Sequence, residues 1–347
     1  MDKSLLKATA KALVAPGKGI LAADESTRTA GKRLASIGLD NTEENRRNYR
    51  QMLFTAKGWG EYISGVILFD ETLRQSTADG VKFTQLMDEE GVIPGIKVDE
   101  GLVDIEGTDG EKVTQGLESL PNRLPEYFDL GARFAKWRAV YAVTDDLPSE
   151  TAIMQNASCL AKYAKACQDA SIVPIIEPEV MMDGEHTTHS LERCYDVTKK
   201  VQEAVFAACK AEGVYLEGVL LKPNMVIPGQ DCPVKATTEE VAEATVKCLK
   251  ATVPAEVPGI VFLSGGQGDV EATENLNAMN KLGNVPWALS FSYGRALQAA
   301  ALKTWGGSSE NILAAQREFL KRAACNSAAT RGTYSKAMEQ KEFAPAA

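Results

Sequence analysis

The sequence predicts a (β/α)8 barrel, with one domain over residues 1–330, and three observations carry that expectation. Eight short, nearly unbroken apolar runs recur along the chain, as strands covered on both faces do. Their starts lie between 29 residues apart (259 to 288) and 43 apart (19 to 62), so each gap can hold a crossover helix. Several gaps carry explicit helix signals. Alternation of this kind also fits a doubly wound open sheet, so it does not by itself select the barrel.

The elements follow in chain order. The first strand is 19–25, "GILAADE", and a helix with a highly charged outer face is expected over 42–59. Strands come next at 62–70, "YISGVILFD", and 92–98, "VIPGIKV". The Gly-rich stretch 99–130 reads as an irregular insertion, and the fourth strand is 134–142, "FAKWRAVYA". Ser149 is an N-cap, and behind it Ile153, Ala157, Leu160, Ala164 and Cys167 recur at helical spacing. After the strand 173–180, "VPIIEPEV", Ser190 precedes the same pattern in Cys194, Val197, Val201, Val205 and Ala208. The sixth strand is 216–222, "LEGVLLK", and Thr237 with Glu240 forms a capping box beyond it. Strands 259–264, "GIVFLS", and 288–293, "ALSFSY", complete the set. Residues 331–347 read as a flexible tail.

Composition narrows the function classes. With 347 residues and 44% hydrophobic content, the chain can build a large core. A formal charge of −9 argues against general binding to nucleic acid or to an anionic membrane. No apolar run is long enough to span a bilayer. The opening "MDKSLLKATAKALVAPGKG" has no long apolar segment, so a cytoplasmic setting is expected. Seven scattered cysteines with no C-x-x-C spacing read as reduced, buried thiols.

Charges interrupt the apolar runs in a pattern. Asp24 closes the first strand and Lys97 sits in the third. Lys136 and Arg138 lie two apart in the fourth, Glu177 and Glu179 two apart in the fifth, and Lys222 ends the sixth. Strand side chains alternate with period two, so each i, i+2 pair faces one way. In a barrel these groups meet at the C-terminal rim, where barrel enzymes carry their chemistry. A single strand-end charge is ordinarily a solvated or paired rim residue. A lattice of ion pairs would account for Lys136 with Glu177, but less well for charges on so many consecutive strands, because unpaired burial costs several kcal/mol.

The last two strands add a separate signal. "FLSGGQG" carries Ser264, Gly265 and Gly266, and "SFSYGRA" carries Ser292, Gly294 and Arg295. Glycine lets backbone N–H groups approach an anion, and arginine offers a bidentate fork. Loops after the seventh and eighth strands are a frequent phosphate site of barrels.

A lysine on such a rim can anchor a phosphate, or it can act as a nucleophile. Burial and a second cation, for which Lys136 stands ready, both favour the neutral amine. A neutral amine attacks a ketone to give a Schiff base, and the iminium allows a neighbouring C–C bond to break. A carboxyl group must move protons in those steps, and Glu177 and Asp24 compete for the task. No metal is expected. Two histidines, His186 and His189, cannot build a three-His zinc site, although with Asp183 and Glu185 they could bind a metal weakly.

On "GILAADEST", "PGIKVDEG", "FAKWRAVYAV", "PIIEPEV", "GVLLKPNMV", "VFLSGGQ" and "LSFSYGRALQ", the chain resembles class I fructose-bisphosphate aldolases over roughly residues 1–330. The resemblance implies a metal-independent, homotetrameric barrel without a cofactor. It implies reversible cleavage of a phosphosugar, fructose 1,6-bisphosphate, to dihydroxyacetone phosphate and glyceraldehyde 3-phosphate. Lys222 would then be the Schiff-base lysine, Glu177 the main general acid/base and Glu179 its support. Lys136 would assist proton transfer and depress the amine pKa, and Asp24 would act at the C4 hydroxyl. Ser264, Gly265, Gly294 and Arg295 would hold the C1 phosphate. Ser26, Thr29, Arg33, Lys97 and Arg138 would surround the C6 phosphate. Other readings are a transaldolase-like Schiff-base barrel and an added scaffold role toward an acidic or cytoskeletal partner. Two departures stand out. Arg28 occupies a place that is usually glycine in "ADESTG". Many members end in a tyrosine that reaches the site, whereas this sequence ends "EFAPAA", with Phe343 as its last aromatic, so tail-assisted proton exchange is not expected to carry over.

Overall fold

The computed structural model describes residues 1–184, 187–341 and 343. Glu185 and His186 of the weak metal-binding pattern, and most of "EFAPAA", lie outside the described residues.

Eight parallel strands close a barrel. In chain order they are β1 (Gly19–Ala23), β2 (Ile63–Leu68), β3 (Ile93–Lys97), β6 (Phe134–Tyr141), β7 (Val173–Val180), β8 (Leu220–Leu221), β9 (Gly259–Phe262) and β10 (Ala288–Tyr293). They neighbour one another in the order β1-β10-β9-β8-β7-β6-β3-β2 and back to β1. An antiparallel pair, β4 (Leu102–Asp104) and β5 (Lys112–Thr114), stands outside the ring. α1 (Lys3–Leu13) lies across the N-terminal end of the barrel, and around the ring run α2 (Thr27–Ala35), α3 (Glu43–Phe54), α4 (Asp70–Arg74), α5 (Phe83–Glu89) and α6 (Leu120–Asp129). They are followed by α7 (Glu150–Asp169), α8 (Leu191–Ala211), α9 (Thr238–Thr252), α10 (Asp269–Leu282), α11 (Arg295–Trp305) and α12 (Ile312–Ala329). No described helix is long and apolar enough to cross a membrane.

The helix signals are realised in detail. Ser149 Oγ accepts from Ala152 N at the start of α7, and Ile153, Ala157, Leu160, Ala164 and Cys167 are all buried. Ser190 Oγ accepts from Arg193 N at the start of α8, whose Cys194, Val197, Val201 and Val205 are buried. The Thr237–Glu240 capping box opens α9. Such caps satisfy otherwise orphaned N–H groups and contribute about 1 kcal/mol each. Six cysteines are buried and Cys159 is half-buried, all of them free thiols.

Three expectations need correction. The strand expected over 216–222 is only Leu220–Leu221, because 216–218 forms a 3-10 turn. There the Gln168 amide takes the Tyr215 and Gly218 carbonyls at 2.8 and 3.2 Å, so these oxygens never reach a ladder. The insertion 99–130 is not irregular. It holds the β4–β5 hairpin, with Val103 opposite Val113, and then α6. Its glycines at positive φ, Gly101, Gly107, Gly110 and Gly116, shape the turns and hide the short strands in the composition. The charged helix expected to reach 59 stops at Phe54, and Gly58 at φ 81° starts a 3-10 turn.

Most of the core lies between strands and outer helices. A second, smaller cluster fills the N-terminal end of the barrel, where Leu6, Ala10 and Leu13 of α1 meet Phe134, Ile175, Leu220 and Val261. Beyond α12, Lys336–Gln340 forms a 3-10 turn. It is held by buried Arg322, whose Nη1 donates to both Glu339 oxygens at 2.7 and 2.6 Å, and by Tyr334 Oη on Glu339 at 2.9 Å.

Phe134 is the largest plug at the closed end. A Cβ added at Gly95 would lie 2.3 Å from its ring, so something must shift. Gly95→Ala should therefore cost about 2–3 kcal/mol by overpacking, and Phe134→Leu in the same chain should recover part of that loss. Urea unfolding of the single and double variants checks both.

Candidate active site

The barrel's C-terminal mouth opens into a cavity of about 1250 Å³. Every site residue expected from the sequence lines it: Asp24, Ser26, Thr29, Arg33, Lys97, Lys136, Arg138, Glu177, Glu179, Lys222, Ser264, Gly265, Gly294 and Arg295.

Strand register builds the centre. On β6 and β7, Lys97 pairs with Lys136 from the β3 side and Arg138 pairs with Glu177. Period two turns Lys136 and Arg138, and likewise Glu177 and Glu179, into the same lumen. Lys222 lies one residue past β8, and its N–H still donates to the Ile176 carbonyl at 2.8 Å, which fixes the base of the side chain. Two residues on, buried Asn224 accepts from Val180 N at 3.0 Å and donates to Thr198 and Met225, locking the turn that follows the lysine.

The charges alternate in sign through the lumen. Glu177 Oε1 lies 3.0 Å from Lys222 Nζ, and its Oε2 lies 3.2 Å from Lys136 Nζ. The second contact is ionic only, and Oε2 has no hydrogen-bond partner. Lys136 Nζ also reaches Asp24 Oδ2 at 2.8 Å. All four side chains are nearly excluded from water, at 5% exposure or, for Asp24, 13%. Arg138 Nε donates to Glu179. Lys136 is thus flanked by two carboxylates and shares one of them with Lys222.

Burial pushes the Asp24 carboxyl up, but Lys136, Lys222 and Lys97 outweigh it and hold the group well below the usual carboxylate range. Burial likewise works against charge on Glu177, yet Lys136, Lys222 and Arg138 leave its carboxyl below its ordinary value. For Lys136 burial disfavours the ammonium, and Asp24 and Glu177 more than compensate, so its value is raised.

Two anion-ready regions flank this centre. On one wall, Ser264 and Gly265 follow β9, and Gly294 precedes α11 with Arg295 as its first residue. Gly266 sits at φ 74°, a conformation that turns the loop tightly. A Cβ at Gly294 would crowd the Ala22 carbonyl at 3.2 Å, so only glycine brings this backbone so close to β1. The first N–H groups of α11 have no intrahelical partners and suit a phosphate. Arg295 Nη2 lies 3.7 Å from Asp183. On the other wall, Ser26 caps α2 and its Oγ contacts the Thr29 hydroxyl at 3.2 Å. Arg33 is paired to Glu25, and Lys97 Nζ contacts Asp99 Oδ1 at 2.5 Å. Arg28 is exposed and is not among the cavity-lining residues.

Sequence reading missed Glu25, Asp99 and Asn224; Ser292, already named beside Gly294 in the last strand, is buried at the cavity wall with its Oγ unpartnered. Asp99 and Asn224 each stand two residues past a lysine already singled out, so the period-two rule could have flagged them had it been extended beyond the strand ends. Glu25 pairs with Arg33 and with buried Arg50, and no local pattern announces that contact. Among the described residues, no group of three or more His, Cys, Asp or Glu side chains is placed to hold a metal.

Known proteins resemble this chain in sequence and in fold. The family model described as fructose-bisphosphate aldolase class-I matches residues 5–346. A fructose-bisphosphate aldolase of Dictyostelium discoideum is 56% identical over 95% of this chain and 92% of its own. The cytosolic fructose-bisphosphate aldolase 5 of Arabidopsis thaliana is 57% identical over 94% of this chain and 90% of its own. The fructose-bisphosphate aldolase of Plasmodium falciparum, solved with TRAP and a small-molecule inhibitor, superposes with a TM-score of 0.94 at 53% identity. That match covers 96% of this chain and 95% of the other.

The depressed carboxyls have a consequence for stability. Asp24 and Glu177 bind fewer protons folded than unfolded, so their charged network stabilises the fold fully above the free carboxyl values, about 4. That contribution is lost as pH falls below them toward the folded values. Urea unfolding between pH 5 and pH 3 should show stability falling with acid. The slope should be shallower in Asp24→Asn.

Proposed function

The chain belongs to the class I fructose-bisphosphate aldolase family, and from that premise we propose which residues perform each step of its metal-independent, reversible cleavage of fructose 1,6-bisphosphate. The observation that carries the assignment is the single carboxylate shared by two buried ammonium groups. Lys222 is the Schiff-base lysine. Its proton passes to Glu177 Oε1, and the neutral nitrogen attacks the C2 carbonyl of the ketose. The same carboxyl then returns a proton to the carbinolamine oxygen, which leaves as water and yields the iminium.

Cleavage needs a base at the C4 hydroxyl. Asp24, held ionised beside Lys136, takes that proton as the C3–C4 bond breaks. The bonding electrons move into the iminium, giving an enamine and releasing glyceraldehyde 3-phosphate. The proton taken from the C4 hydroxyl, relayed from Asp24 through Lys136 and Glu177, is delivered to the enamine at C3, which leaves Asp24 ionised again, and hydrolysis of the iminium by water frees dihydroxyacetone phosphate and restores Lys222. Lys136 conducts protons between Asp24 and Glu177 and keeps both charged. Glu179 fixes Arg138 in the lumen.

The phosphate ends lie on opposite walls. Ser264, Gly265, Gly294 and Arg295 hold the C1 phosphate, supported by free helix N–H groups and the guanidinium. Ser26, Thr29, Arg33, Lys97 and Arg138 face the C6 phosphate. A homotetramer in the cytoplasm is the assembly and setting we infer, the latter supported by the cytosolic naming of plant relatives. The transaldolase and scaffold readings are not favoured, because the relatives that span nearly the whole chain are named fructose-bisphosphate aldolases. The TRAP complex of the Plasmodium protein supports an accessory protein partner at most as an added property.

Borohydride added with fructose 1,6-bisphosphate should reduce the iminium and tag Lys222 irreversibly, as read by peptide mass spectrometry, and EDTA should leave turnover intact. An unmodified peptide around residue 222 would count against the assignment. Glu177→Gln should lower kcat by about 10²- to 10⁴-fold with the fold retained.

A further inference from the structure

Asp99 belongs to none of the roles assigned above, yet it lies in the same lumen. Its side chain is 7% exposed, and it lines the cavity one strand away from Lys136. Lys97 Nζ is held by it twice, at 2.5 Å to Oδ1 and at 2.9 Å to the Asp99 backbone oxygen. The other carboxylate oxygen, Oδ2, is buried and has no hydrogen-bond partner. An unpartnered charged oxygen is costly to bury, and its field acts on whatever lies near. Lys136 and Arg138 both feel it.

Position makes the pair informative. β3, which carries Lys97, stands four strands from β9 whichever way the ring is followed. The Ser264–Gly265 loop is therefore on the wall opposite Lys97. A ketose whose first phosphate rests at Ser264 and Arg295 extends toward Lys97 with its far end. Only a ketose bearing a second phosphate places a dianion there.

We propose that Asp99 is a specificity-determining residue that sets the preference between bis- and monophosphorylated ketoses by balancing the Lys97 ammonium. This rests on the reading that the second phosphate lies beside Lys97. Asp99 is a fixed negative charge beside that phosphate, so it weakens a dianion's attraction to Lys97 while leaving an uncharged sugar end unaffected. The backbone oxygen tethers Lys97 independently. An asparagine at 99 keeps the acceptor geometry and removes only the charge, which fixes the direction of the effect.

The test measures KM for fructose 1,6-bisphosphate and fructose 1-phosphate in Asp99→Asn, Asp99→Ser, Lys97→Met and the Lys97→Met/Asp99→Asn double variant. Asp99→Asn should lower KM for the bisphosphate by about tenfold and change that for fructose 1-phosphate less than about twofold. Asp99→Ser, the second variant, should act the same way. Lys97→Met should raise KM for the bisphosphate selectively, and adding Asp99→Asn to it should have little further effect. Equal shifts for both ketoses, a raised bisphosphate KM in Asp99→Asn, or full persistence of its effect in the Lys97→Met background would overturn the proposal. If Lys97→Met itself fails to discriminate the two ketoses, the placement of the second phosphate falls and this proposal with it. A discriminating Lys97→Met beside an indifferent Asp99→Asn refutes the role of Asp99 alone.

Discussion

The Glu177 carboxylate lies between the Lys222 and Lys136 ammonium groups, and two buried cations so close together could not persist without it. At such separations unlike charges attract by several kcal/mol even in a moderately screened interior. Breaking one partner of a buried pair leaves an uncompensated ion and costs about 3–5 kcal/mol. The contact is therefore structural before it is chemical. It fixes where the amine points, and it places a proton acceptor directly on the nitrogen that must lose a proton.

That arrangement needs a scaffold in which side chains from separate strands meet at one height. Asp24 and Lys222 lie just past the ends of β1 and β8, Lys136 and Glu177 lie within β6 and β7, and no two of those strands except successive ones are neighbours. A closed ring of parallel strands brings all of them to the same end. The lumen below is filled by apolar side chains, so the charges are pushed to the mouth. The outer helices cover the strand backs and exclude water from behind. Asn224 and Gln168 spend their amides on backbone groups around β8, which stiffens the shortest strand of the ring at the point where the lysine leaves it.

Most of this was legible in the residues. Barrel strands are covered on both faces, so they appear as continuous apolar runs, and a charge inside such a run is conspicuous. Period two then sorted Lys136 with Arg138 and Glu177 with Glu179 onto one side. What stayed hidden depended on distant partners. Glu25 looks like a neighbour of Asp24, but its role is to meet Arg33 and Arg50 on two different helices. The β4–β5 hairpin vanished among glycines that signal turns without revealing the three-residue strands between them. The strand before Lys222 was overestimated because "LEGVLLK" has strand composition, while Gln168, remote in sequence, claims its first carbonyls.

The apolar face of α1 seals the base of the barrel against Val173, Ile175, Leu220 and Val261. During synthesis this helix leaves the ribosome long before the residues it must meet. Until the chain has grown past Val261, Leu6, Ala10 and Leu13 have no complete seat and stay wet or borrowed by transient contacts. The first segment made is thus among the last to be docked, and the vulnerable interval of biogenesis spans most of the translation time.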